Sequence, residues 1–174
     1  MPLPADAARE WHDVYMLFGT ASATLVGLMF VAASVGSSFF GQDKLPALRT
    51  FLSPSVVLFT CVLAACLIAI SPLRSWMLFG ILIGGDGLFG VVYAGLVWRR
   101  LIQHGLSTAI DLEDRICYAI LPALGYTIML GAGILLGLQM LTGFDVLAVA
   151  MGLLILVGIR NAWDMTVWSV LRQS

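Results

Sequence analysis

The sequence predicts an all-α fold: a polytopic transmembrane helical bundle with five spans, its N-terminus outside and its C-terminus cytoplasmic. Three observations carry that prediction. Of 174 residues, 60% are hydrophobic and 11% charged, with a mean hydropathy of +1.00. A soluble domain is about 45–50% apolar and about 25% charged, so lipid is the natural solvent for this chain. The apolar residues also fall into runs long enough to cross about 30 Å of hydrocarbon, which takes about 20 helical residues. Finally, those runs are too long and too continuous for barrel strands, which alternate over about 10 residues.

The first span is expected at about 14–38, "VYMLFGTASATLVGLMFVAASVGSS". The segment before it, "MPLPADAAREWHDVY", lacks the basic start of a signal peptide, so the first apolar run is expected to remain as a span. After "GQDKLPALRT" comes the second span, about 52–71. Ser53-Pro54 there reads either as an N-cap with proline in the first turn, or as a kink in a helix that begins at Pro46. Pro72 ends that span, and the third, about 76–98, follows at Trp76. "RRLIQHGLSTAIDLEDR" is the sizeable loop; Thr108 with Asp111 three residues later has the pattern of a capping box. The fourth span, about 116–141, would then start before the membrane and kink at Pro122. "LTGFD" leads tightly into the fifth, about 144–170, which makes the last two spans antiparallel neighbours. No loop is long enough for a soluble domain, and residues 1–174 read as one integral membrane domain. Spans one-two and three-four show a weak parallel repeat, with a proline and then a threonine in each second member (Pro54 and Thr60, Pro122 and Thr127).

Lysine and arginine set the orientation. Arg9 and Arg74 fall on one side, and Lys44, Arg49, Arg99, Arg100, Arg115 and Arg172 on the other. The richer side is cytoplasmic. Trp11, Tyr15 and Trp76 would then mark the outer interface, and Trp98, Trp163 and Trp168 the inner one. The formal net charge is −1, so there is no basic field for nucleic acid. Cys61, Cys66 and Cys117 make no CxxC or Cys/His cluster. Neither a disulfide framework nor a metal site is indicated. Cys61 and Cys66, five apart on different faces of one span, read as small core residues.

Polar residues inside the spans are the candidates for function. Thr20, Thr24, Gly27, Val31, Ser34 and Ser38 recur at heptad spacing in span one, beside a Gly19, Ala23, Gly27 ladder. Such a stripe suits a helix-packing seam, within or between subunits, or a pore lining around an oligomer axis. Asp86 in "GGDG" lies about 15 Å deep, counting from Trp76 at 1.5 Å per residue. An isolated carboxylate there costs at least about 2.5–3.5 kcal/mol on insertion scales, so it must face protein or water, pair, or take up a proton. Gly80, Gly84, Gly87, Val91 and Gly95 share a face of that helix, and Asp86 points away from it. In "GIRNAWD", Arg160 and Asp164 stand one turn apart with Asn161 between them. Either Arg160 pairs locally with Asp164 near the interface, or it reaches inward to Asp86 and the four residues form one buried network. Glu10, His12 and Asp13 flank span one, either as a solvated edge or as an ion-attracting mouth.

Across "YMLFGTASATLVGLMFVAASVG", "LEDRICYAILPALGY" and "GIRNAWD" the chain resembles a family of small multi-spanning bacterial inner-membrane proteins. The resemblance implies a multi-pass protein of the bacterial cell inner membrane and brings no activity, cofactor or catalytic residue with it. Two functions compete. One is a homo-oligomeric channel or permeation protein for ions or small solutes, with Asp86 setting cation preference or relaying protons. The other is an accessory subunit of a larger membrane complex, docked on a membrane-protein partner through glycine-rich faces of spans one, three and four. An enzyme is not expected. His12 and His104 lie in flanks, and no HExxH or GxSxG motif and no acidic metal cluster occurs. No cofactor is expected either.

Overall fold

A computed structural model describes residues 3–39, 45–103 and 119–171, with side chains described over 3–34, 54–99 and 119–164. The Thr108–Asp111 cap, Cys117, His104 and the loop cations therefore lie outside the described residues, as do the side chains of Ser38 and Trp168. Among the described residues the chain is all-helical. One turn of α-helix, Pro4–Ala7, and a 3₁₀ turn, Ala8–Trp11, lead into α1 (His12–Phe39). Then come α2 (Leu45–Ile70), α3 (Trp76–Gln103), α4 (Leu121–Gly137) and α5 (Thr142–Leu171). Three stretches are long and apolar enough to cross a membrane: Pro4–Ser34, Trp76–Arg99 and Thr142–Asp164. Two shorter apolar stretches, Pro54–Ile70 and Leu121–Gly137, belong to α2 and α4.

The helix boundaries follow local chemistry. α2 takes the second of the two readings at Pro54: the helix begins at Leu45, with Pro46 in its first turn, and Pro54 lies inside it. Ser53 therefore lies within the helix rather than at its start. Pro72 stops α2 because it cannot continue the hydrogen-bond ladder. Ser75 then opens α3, its hydroxyl oxygen accepting from the Leu78 N–H at 3.3 Å, as an N-cap serine does. The fourth helix ends at Gly137, four residues before the expected Leu141. Gln139 adopts a φ of 64°, and the Met140 N–H donates to the Leu135 carbonyl while the Gln139 N–H donates to that of Leu136, both at 2.9 Å. That pair of bonds is a Schellman motif with glutamine in the left-handed position usually held by glycine. Sequence gave no sign of it, since the glycine that punctuates this region is two residues earlier. Gln139→Gly is expected to stabilise the fold by about 1 kcal/mol, because glycine pays no Cβ penalty at positive φ; equilibrium unfolding in mixed micelles measures it.

The helices pack in the cyclic order α1, α2, α3, α4, α5, with α2 and α5 also in contact across the ring. α4 and α5 form the antiparallel pair that their short connection requires. Lipid tails are as apolar as leucine, so helices here associate through close packing rather than exclusion from water. The closest approach is between α3 and α4. A Cβ on Gly80 would stand 2.6 Å from the Gly133 carbonyl oxygen and from Cα of Gly137, and one on Gly87 would stand 2.5 Å from the Leu130 backbone nitrogen. Gly80, Gly87 and Gly133 thus form this internal seam, while Gly85, Gly95 and Gly131 have nothing within 4 Å of a Cβ placed on them. α5 is the most enclosed span, with Leu147, Ala150, Met151 and Leu154 all 0% exposed. α1 is the least: 11% of its span is buried, against 50% for α5.

At one end an aromatic group joins three helix N-termini. Tyr15 donates to the Phe144 carbonyl at 3.1 Å, and Trp11, Tyr15, Trp76 and Phe79 surround the Phe144 ring or each other, with centroids 5.8–6.5 Å apart. These include the three aromatics assigned to the outer interface. Trp98 and Trp163 lie towards the other end, both exposed.

Candidate functional site

Asp86 lies on α3 one turn from Gly90, which packs on Tyr126 of α4, and α2 and α4 supply the acid's neighbours. The Cys61 thiol of α2 lies within hydrogen-bonding reach of the carboxylate. Tyr126 of α4, 1% exposed, lies beside both Cys61 and Asp86. Tyr126 is held there by the missing side chain of Gly90, whose Cβ would fall inside the tyrosine ring. Asp86 Oδ2 and the Tyr126 hydroxyl are both fully buried, and neither makes a hydrogen bond of good geometry among the described residues. The group is therefore a carboxylate, a thiol and a phenol drawn from three helices, with no cation facing the acid among the described residues.

A small cleft leads to this group from the end opposite the aromatic cluster. Pro54 and Leu58 of α2, Tyr93, Ala94 and Val97 of α3, and Pro122 and Tyr126 of α4 line it. Its volume is ≈ 10 Å³, about the space of one water. Tyr126 belongs both to the cleft and to the Asp86 group. The prolines of the weak internal repeat, Pro54 and Pro122, meet at this cleft, while Thr60 and Thr127 face outward and donate to the carbonyls of Val56 and Ala123.

The four residues of the expected polar network separate into two places. Arg160 Nε lies 3.8 Å from Asp164 Oδ2, so the local pair forms, at a distance beyond a hydrogen bond. Asn161, between them, is 0% exposed. The Asp86–Arg160 contact does not form: Asp86 has Cys61 and Tyr126 as its polar neighbours. The helices explain this. α3 packs on α2 and α4, whereas α5 packs on α4, α2 and α1, which leaves the acid and the guanidinium on different sides of the bundle.

The hydroxyl stripe of α1 looks outward. Thr20, Thr24 and Ser34 are exposed and donate to the carbonyls of Met16, Thr20 and Phe30, one turn back, at 2.8–2.9 Å. Nothing lies within 4 Å of a Cβ placed on Gly27. Among the described residues the stripe neither seams two helices nor lines a cavity, and Gly19 alone of the ladder packs tightly, its Cβ position 3.2 Å from that of Cys66. The two described cysteines do face different ways: Cys61 turns towards Asp86, and Cys66 towards α1 and Met151, its sulfur 3.6 Å from the thioether. Glu10, His12 and Asp13 are exposed.

Sequence reading named Asp86 but missed Cys61 and Tyr126 as its company. The one signal for Tyr126 was glycine at position 90, on the acid's side of α3. No protein-family model, curated protein or solved structure matches the chain. Its fold and its residues therefore define its class: an all-helical protein with three helices long and apolar enough to cross a membrane.

Proposed function

We propose that this chain is a five-span protein of the bacterial inner membrane that mediates permeation of ions or small solutes, assembled as a homo-oligomer, with Asp86 as the group the permeating species meets. The observation that carries the reading is the buried Asp86 Oδ2, which no basic side chain faces among the described residues. A carboxylate that merely held the bundle together would be paired with a cation, and one inside a span with only a thiol and a phenol beside it is a functional candidate by default. Pro54–Ile70 and Leu121–Gly137 support the five-span reading, since 17 residues reach the lower limit for a span. The excess of arginine and lysine on one side supports a cytoplasmic C-terminus.

A second reading, the accessory subunit, draws on α1. Its outward face carries Thr20, Thr24, Gly27 and Ser34, and it is the least covered of the long helices. The same face suits self-association. Native mass spectrometry of the gently solubilised protein separates the two: a closed homo-oligomer supports the permeation reading, and a stoichiometric foreign partner supports the accessory one. Flux of protons, Na⁺, K⁺ and small polar solutes into proteoliposomes then tests permeation itself. Vesicles as tight as protein-free controls to every species would overturn it.

A further inference from the structure

We infer that Asp86, Cys61 and Tyr126 form a proton-accepting site, loaded from one end of the bundle through the cleft and the Tyr126 hydroxyl. The inference rests on the permeation reading and narrows its cargo to the proton. Size argues first. The cleft, at ≈ 10 Å³, has space for about one water. A hydrated alkali cation or an organic solute needs far more, whereas a proton moves by exchanging O–H bonds along whatever hydroxyls and water are in line.

Placement argues second. Tyr126 lines the cleft on one side and lies against Cys61 and Asp86 on the other. Its hydroxyl has no hydrogen bond that fixes it elsewhere, so it can accept from the cleft and donate inward. Charge argues third. Among the described residues the polar neighbours of Asp86 are a thiol and a phenol; neither carries a positive charge, and a bound proton is what neutralises the acid in a medium hostile to charge.

Among the described residues the route opens through the cleft and is closed beyond Asp86 in this conformation, so that side must open in turn for a proton to cross. One and two turns from Asp86 along the same helix, Ile83 and Phe79 are 0% and 1% exposed, and Met129 on α4 is 0% exposed. The open end holds Pro54, Val97 and Pro122, which the arginine distribution assigns to the cytoplasmic side.

In the transfer, hydronium in the cleft gives a proton to the Tyr126 oxygen while the tyrosine's own O–H proton passes to Asp86 Oδ2. One O–H bond breaks on hydronium and one forms on the carboxyl group. Water, an unchanged phenol and a neutral carboxylic acid result. The hydroxyl and Oδ2 are not hydrogen-bonded to each other, so a single water between them relays the proton and is itself left unchanged. Cys61 keeps its S–H and orients the carboxyl group as a positioning residue.

The test uses the full chain in phosphatidylethanolamine–phosphatidylglycerol vesicles. Infrared difference spectra after an acid jump are expected to show the carbonyl band of a neutral carboxylic acid. That band is lost in Asp86→Asn, and it forms at least tenfold more slowly in Tyr126→Phe, which keeps the ring seated on Gly90 and removes only the hydroxyl. Proton flux is expected to depend on Asp86 and alkali-cation flux not to. An absent band in the wild type, or an unchanged rate in Tyr126→Phe, overturns the site. Asp86-dependent Na⁺ or K⁺ flux overturns the proton as cargo and leaves the permeation reading standing. A normal, Tyr126-dependent band in vesicles that pass no species supports the proton site and removes the permeation reading instead.

Discussion

Gly133→Ala is expected to cost about 1–3 kcal/mol of stability, while Gly84→Ala, facing it across the same seam, is expected to be neutral or to stabilise by up to about 1 kcal/mol. Both changes add one methyl group to a helical glycine. On Gly133 that methyl would meet the Gly84 backbone, with Cα only 2.5 Å away, and the Gly80 carbonyl oxygen at 2.9 Å. Backbone atoms cannot rotate aside, so α3 and α4 must separate along their length and lose the van der Waals contact that joins them in lipid. On Gly84 the nearest atoms are the Leu130 side chain at 3.8 Å and Gly133 Cα at 3.9 Å, which is ordinary contact. Alanine there gains helix propensity without strain. Unfolding of each variant by steric trapping or by denaturing detergent measures the difference. Equal effects at the two positions would mean that the seam does not cross where the glycines place it.

The second large effect is functional. Asp86→Asn is expected to reduce flux to the protein-free background while leaving assembly and stability unchanged or improved by about 1 kcal/mol. The amide fills nearly the same volume, removes a charge that costs at least about 2.5–3.5 kcal/mol at this depth when isolated, and keeps a polar group beside Cys61. A loss of flux that comes with unfolding would point to a structural acid. A loss without unfolding points to the path. Native mass spectrometry and the circular-dichroism melt of the same preparation distinguish them.

Much of this was legible in the sequence. The apolar runs place the described helices to within about seven residues, because a span is a property of composition and length. The presence of an acid deep in the third span was legible too, since depth needs only the helical rise. The company of Asp86 was not. Cys61 and Tyr126 reach it because α2 and α4 flank α3, and the packing order of helices is set by seams such as Gly80, Gly84 and Gly133, whose partners a sequence does not name. The same limit hid the separation of Arg160 from Asp86. Depth alone made them look reachable, but α5 stands on the other side of α4 and α2. The early end of α4 escaped for a different reason: glutamine at a left-handed position is uncommon, and the hydrogen bonds of Leu135 and Leu136 that hold it appear only in three dimensions.

The most direct test of the central claim, that Asp86 is the group the permeating species meets, is proton flux into vesicles holding equal amounts of wild-type protein and Asp86→Asn, read by an internal pH dye under an imposed potential. The account predicts flux above the protein-free background in the wild type and background flux in the variant. Equal flux from the two proteins would contradict it and leave Asp86 as a packing residue of the α2, α3 and α4 seam.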